Sequence, residues 1–185
     1  NLVNAFCGES NSALVMALND DCDKNENGYS VLGFSKNKVR YIYNVVNIIR
    51  KERAINNIAI GHINLLILAP LIKLLSFWKK TNVVLFCHGI EIWGRLNLIH
   101  KLCLASVNTI ACVSTYTAES LIKQAGPKSR SKVIIFPNTL PTDWRIARSK
   151  DEVQRDSNKY VLAVSRLDRT ERRKGIDHLI MSIRK

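Results

Sequence analysis

Val83-Val84-Leu85-Phe86-Cys87, followed at once by His88-Gly89-Ile90-Glu91, is the stretch on which the reading of this chain turns. Five apolar residues in a row, with Asn82 before them and His88 after, are too short a run for a helix, and they do not alternate with polar residues. A strand without a polar face is buried on both faces, which is the habit of a parallel sheet covered by helices. Outward from it the pattern recurs. Ile58 to Ile60 runs into Gly61-His62, Thr109 to Val113 into Ser114, and Val133 to Phe136 into Pro137-Asn138. Upstream, Ser12 to Leu18 and Tyr29 to Phe34 are two more candidate strands. Segments of helical spacing lie between them. Val39 to Arg53 carries Ile42, Val45, Val46 and Ile49; Leu65 to Trp78 predicts a buried helix kinked or started at Pro70; Thr117 to Ala125 is closed by Gly126-Pro127. The expected fold is α/β, a Rossmann-like doubly wound parallel sheet.

From Pro141 to Lys159 the pattern gives way to polar residues, and a second unit opens with Tyr160 to Val164 as a strand and Gly175 to Ile183 as a helix. The expected organisation is a first domain over 1–140, a linker over 141–159, and over 160–185 the first strand, loop and helix of a second Rossmann-like domain. The chain begins without Met and stops inside a helical pattern. It therefore reads as a piece of a longer protein, with the first strand of the first domain missing.

Composition narrows the class. Of 185 residues, 46% are hydrophobic and 23% charged, which excludes a disordered tail or a fibrous repeat. Lys and Arg number 28 against 15 Asp and Glu, net +13, so the chain favours anionic partners: nucleic acid, an acidic membrane surface, or a phosphorylated small molecule. The apolar run Leu65 to Ile72 is too short for a membrane span, which needs about twenty residues. The five cysteines (Cys7, Cys22, Cys87, Cys103 and Cys112) show no C-x-x-C pair and no zinc spacing, and the residues from Asn1 onward do not open on a basic-then-apolar signal pattern. A reducing compartment, the cytoplasm, is the expectation.

In an open parallel sheet, ligands bind beyond the carboxyl ends of the strands. His88, with Gly89 to let a ligand approach the backbone and Glu91 beside it, is the strongest candidate there. His62 occupies a similar strand end with nothing to support it. Ser114 has the position of a helix cap, and Asn138 follows the last strand of the first domain. His100 and His178 fall in helical segments and read as structural. Between Arg166 and Lys174 five cations face two acids, net +3, ahead of a helix N-terminus. Cations there oppose the macrodipole unless an anion sits among them, and a diphosphate is such an anion. Asp21-Cys22-Asp23 mimics a metal-binding D-x-D but lies in an Asn/Asp-rich turn, where those residues have their own conformational reasons to be. No metal site is expected, and no Gly-rich phosphate loop of either common type is present.

Taken in order, FCHGIEIWG (Phe86 to Gly94), ACVSTYTAESL (Ala111 to Leu121), VIIFPNTL (Val133 to Leu140) and YVLAVSRLDRTERRKGIDHLI (Tyr160 to Ile180) resemble a family 4 glycosyltransferase of the GT-B fold. The last block, strand, Arg-Leu, Lys-Gly, helix, is the most specific. The resemblance implies a retaining, metal-independent hexosyltransferase that needs no cofactor. It implies Arg166 and Lys174 on the diphosphate of a nucleotide sugar and His88 as the catalytic residue near the transferred sugar, with Gly89, Glu91, Ser114 and Asn138 as lesser binding residues. The partners implied are a nucleotide-diphosphate sugar and a lipid-linked or polysaccharide acceptor, as in polysaccharide or lipopolysaccharide biosynthesis, with the protein peripheral at the inner face of a membrane. Ser165 replaces the family's usual Gly before the Arg, and no two glutamates stand eight positions apart as the family's pair does. That pair is expected beyond Lys185, so the chain by itself is expected to be inactive. The alternative is a non-catalytic basic α/β module binding nucleic acid or a sugar nucleotide. Dispersed cations and the lack of a helix-turn-helix or an aromatic-interleaved basic motif argue against nucleic acid.

Overall fold

The computed structural model describes residues 13–26, 29–52, 55–138, 163 and 175–183. The chain divides into two compact units, Asn1–Trp144 and Arg145–Lys185. The first holds two sheets. One contains β1 (Ala13–Ala17), β2 (Lys24–Glu26) and β3 (Tyr29–Gly33) in the order β1-β3-β2, with β1 parallel to β3 and β2 antiparallel to it. The other contains β4 (Asn57–Ile60), β5 (Asn82–Cys87), β6 (Thr109–Cys112) and β7 (Val133–Ile135), all parallel and in chain order. Among the described residues β1 and β4 are therefore outer strands of separate sheets, where the sequence alone suggests one continuous sheet. The connection from β1 to β3 also carries the short strand β2 and no described helix.

Helices connect the rest. α1 (Lys38–Lys51) joins β3 to β4, capped by the Asn37 carboxamide on the Arg40 N–H at 3.0 Å. The segment expected as one helix from Leu65 to Trp78 is three pieces: a 3-10 turn at Ile63–Leu68, α2 (Ala69–Leu75) and a second 3-10 turn at Phe77–Lys79. Pro70 sits in the first turn of α2, where the missing N–H costs no hydrogen bond, so it starts the helix and does not kink it. After β5 come α3 (Ile90–Trp93), α4 (Leu98–Cys103) and a 3-10 turn at Leu104–Ser106; α5 (Thr115–Ala125) follows β6 and ends at Gly126 with φ 93°. Because β4, β5, β6 and β7 step in one direction across the sheet, right-handed crossovers put their connecting helices on one face. The second unit is described at Ala163 and Gly175 and in α6 (Ile176–Ile183).

The core is built on β5. Val83, Leu85 and Cys87 are fully buried, and they pack with Ile110 and Cys112 of β6, Leu66 and Ile72 of the α2 segment, and Leu121 of α5. Val84, Phe86 and Ala111 form a second buried cluster with Phe136 packed against it, the Phe86 and Phe136 rings edge to face at 5.7 Å. Each such side chain contributes about 1.5–3 kcal/mol of transfer free energy.

Several lysines that look free in the sequence hold this frame together. The Lys79 ammonium donates to the carbonyls of Ile49 and Glu52, closing the C-terminus of α1. The Lys132 ammonium donates to Val107 O at 2.8 Å and Ala105 O at 3.1 Å, beyond the end of α4, and Lys73 donates to Thr81 O at 2.9 Å. Cations on the orphan carbonyls of a helix end are favourable in both charge and hydrogen bonding. The basic excess is thus in part structural.

Asp23 of the D-x-D mimic also has a structural post. Its carboxylate accepts the Gly33 N–H at 2.8 Å, and a Cβ at Gly33 would meet Asp20 O at 2.7 Å. Among the described residues no cluster of three His, Cys, Asp or Glu side chains is placed to hold a metal, and no helix is long and apolar enough to cross a membrane.

Burial makes two predictions. Of the four described thiols, Cys22 is exposed while Cys87, Cys103 and Cys112 are buried, so maleimide should label Cys22 in the native chain and the other three only on unfolding. The thiol contact with Cys112 raises Cys87 while lowering Cys112; burial and the charges of Cys112 and Glu91 push Cys87 further up, and burial raises Cys103 and Tyr41. The unfolded chain releases the protons of Cys87, Cys103 and Tyr41 first, so stability should fall as pH rises above the ordinary thiol value of 9.0. Denaturant midpoints across the alkaline range will show it.

Candidate functional site

Because β4 to β7 are parallel, their carboxyl ends share one edge, and the residue after each strand is delivered there by backbone geometry alone. The register pairs Cys87 with Cys112 and Cys112 with Ile135. The Val113 N–H extends the ladder onto Cys87 O at 3.1 Å, and the Phe136 N–H onto Cys112 O at 2.8 Å. His88, Ser114 and the Phe136–Asn138 segment therefore leave the sheet side by side.

His88 is exposed, and its Nε2 lies 3.1 Å from the carbonyl oxygen of Gly61, at the end of β4. That contact points the ring across the edge toward the neighbouring strand end and leaves Nδ1 as the nitrogen available to a ligand. The Glu91 carboxylate accepts the His88 backbone N–H at 2.6 Å. It thereby closes the turn into α3, as an acid in a helix's first turn does.

Gly89 is buried at φ 121°, a region that L side chains rarely adopt. A Cβ there would lie 2.9 Å from Cζ2 of Trp93 and 3.5 Å from Oγ1 of Thr117. Gly89 thus serves two demands at once, a turn and a close approach to an indole. Ser114 is the N-cap of α5: its hydroxyl accepts the Thr117 N–H at 3.2 Å and meets Thr117 Oγ1 at 3.1 Å. Thr117 in turn accepts the Trp93 indole N–H at 3.3 Å. Gly89, Trp93, Thr117 and Ser114 form a continuous chain of contacts from the end of β5 to the end of β6. The Gln124 carboxamide fastens its outer side, donating to Ile92 O at 2.7 Å and accepting the Leu96 N–H at 2.7 Å.

His88, Gly89, Glu91 and Ser114 are therefore brought together. Asn138 is exposed three residues beyond β7 on the same edge. His62 caps a 3-10 turn, its Nδ1 accepting the Asn64 N–H at 3.1 Å. His100 lies within α4 and His178 within α6, the helical placements the sequence suggests. Arg166, Lys174 and Ser165 lie outside the described residues, as does the strand expected at Tyr160 to Val164 except for Ala163, which is not in a strand.

Trp93 and Tyr116 were not legible as site residues. Their rings stack edge to face at 5.5 Å, both are more than half exposed, and the Trp93 indole lies against Gly89. The available signal was the spacing: a glycine one helical turn before a tryptophan lets the indole close over the backbone. A shallow cavity of about 410 Å³ lies on the loop from α3 into α4, lined by Arg95, Leu96, Asn97, Leu98 and Lys101; it contains none of the strand-end residues.

Compared with protein-family models, with curated proteins and with solved structures, the chain matches none. The class that fold and geometry define is a mixed α/β protein with parallel strands whose polar residues gather at one strand-end edge.

Gly89→Ala should cost about 1–3 kcal/mol, from a forced positive φ and the indole contact together. Gly94→Ala is its control: φ there is −72°, nothing lies within 4 Å, and the change should stay within about 0.5 kcal/mol. Thermal unfolding of the two variants reads the difference.

Proposed function

We propose that this chain supplies most of the acceptor-side domain, and the opening of the nucleotide-sugar domain, of a family 4-like glycosyltransferase with a GT-B, doubly wound architecture. The reaction moves a hexosyl group from a nucleotide-diphosphate sugar to a hydroxyl of a lipid-linked or polysaccharide acceptor. The bond between the anomeric carbon and the diphosphate oxygen breaks, the acceptor oxygen bonds to that carbon, and the acceptor proton leaves with the nucleoside diphosphate. The carbon passes through an oxocarbenium-like state while negative charge grows on the leaving oxygens. Fixed cations stabilise that charge, and Arg166 and Lys174 are assigned the task.

One observation carries the reading. A central, fully buried strand delivers an exposed imidazole at 88 to the ligand-binding edge of a parallel sheet, followed by a glycine whose conformation opens the backbone to a neighbour. Serine 114 and asparagine 138 leave the same edge, in the order the sequence blocks require. Glu91 is assigned to holding the His88 turn, since its carboxylate already accepts a backbone N–H there.

The test uses the longer protein that the reading requires, with both domains complete, against a panel of nucleotide-diphosphate sugars. Arg166→Ala or Lys174→Ala should weaken donor binding about tenfold or more, the equivalent of one charge-assisted hydrogen bond. His88→Ala should lower kcat about a hundredfold with donor affinity little changed. Donor binding that survives loss of both cations overturns the assignment, as does robust transfer by residues 1–185 alone.

A further inference from the structure

We propose that the outer face of the α2 and α4 segments is a docking surface for a bilayer bearing anionic headgroups. Ile67, Leu74, Phe77 and Trp78 are all more than half exposed, Trp78 at 92%. With the exposed Pro70 they fall at i, i+3, i+7, i+10 and i+11, which is one stripe along the path of the 3-10 turn, α2 and the second 3-10 turn. The opposite positions, Leu66, Ala69 and Ile72, are in the core. The stripe therefore belongs to an amphipathic segment whose outward side is apolar where a water-facing helix would be polar. The Phe77 and Trp78 rings are edge to face at 5.3 Å, so the aromatic tip is formed in advance of any partner.

α4 repeats the arrangement. It packs against the 3-10 turn at Ile63–Leu68 and exposes Leu98, Ile99 and Leu102 while Cys103 faces the core. Two neighbouring helical segments thus expose large apolar side chains, an amount that a chain alone in water has reason to cover.

Charge selects the occupant. Lys73 and Lys79 are taken up by carbonyls of the frame, but from Lys80 to Ala118 the sequence holds Lys80, Arg95 and Lys101 against a single acid, Glu91, which is engaged by the His88 N–H. Lys80 follows Trp78 closely, and Arg95 and Lys101 flank the exposed face of α4. An apolar face with Trp and Phe at its tip and cations at its margin is the arrangement that binds the headgroup boundary of an anionic membrane. The surface is independent of the transferase reading, though it would bring a lipid-linked acceptor to the protein.

The experiment is co-sedimentation of the 185-residue chain with vesicles of phosphatidylcholine alone and vesicles that also contain phosphatidylglycerol. Phe77→Ser with Trp78→Ser, and separately Leu98→Ser with Leu102→Ser, remove exposed side chains only, and circular dichroism checks that the fold is kept. The chain should bind the phosphatidylglycerol vesicles, more weakly as salt rises, and each double variant should bind about tenfold less. Brominated lipid should quench tryptophan emission in the parent and less so in Trp78→Phe. Undiminished vesicle binding by the Phe77/Trp78 variant, or equal binding to neutral vesicles, overturns the proposal. Sedimentation velocity without lipid covers the remaining occupant: a dimer that the Phe77/Trp78 variant dissolves would make a second copy the partner and overturn it as well. No outcome depends on sugar transfer, so this inference and the transferase reading stand or fall apart.

Discussion

Everything in the first unit depends on β5 being held between β4 and β6, with its apolar side chains out of water on both faces. Val83 to Cys87 are each at most 7% exposed, and β5 hydrogen-bonds in parallel on both sides. Parallel strands need crossovers, and the helices that connect β4 to β7 cover the face carrying Val83, Leu85 and Cys87. The burial of β5 also fixes where the strand ends. The first residue that is not buried is His88; its ring reaches across to the Gly61 carbonyl after β4, and the register with β6 sets it beside the turn into Ser114. The site owes its position to the core and its chemistry to the residues at which the core stops.

The contacts around that edge show how little freedom the site has. Glu91 closes the turn after β5, Gly89 admits the Trp93 indole, and Thr117 ties that indole to the cap of α5. Functional groups placed by a rigid scaffold lose little entropy when a ligand arrives, which is the physical use of such a network. The outward helical face has the opposite character. Its large apolar groups are exposed, with Lys80, Arg95 and Lys101 close to them in sequence, so the binding proposed there would use area and charge in place of fixed geometry.

Much of this was legible from residue order. Continuous apolar runs marked β1 and β3 to β7 to within about a residue or two, and periodicity marked α1 and α5. What escaped has identifiable causes. β2, Lys24–Glu26, is polar and pairs with β3 through its backbone, so no side-chain pattern announces it. The Ile63–Leu68 segment is apolar at nearly every position, which cannot distinguish a 3-10 turn from an α-helix. The separation of the two sheets is a property of pairing between distant residues and leaves no local trace. Lys79 and Lys132 counted toward a basic surface, yet their ammonium groups close helix ends through carbonyls 25 to 30 residues away. The strand-end residues His88, Gly89, Ser114 and Asn138 were visible because the rule that locates them needs only the ends of strands. Trp93 was missed because its place depends on a contact with Gly89.

The most direct measurement of the central claim is native-state hydrogen exchange, residue by residue. If β5 is the buried axis of the sheet, the amides of Val84 to Cys87 and of Ile110 to Cys112 will exchange only through global unfolding, at the slowest rates in the chain. Exchange of those amides by local opening, at rates matching the exposed turn at 127–132, would contradict a frame built on β5 and would remove the basis for placing His88 at its edge.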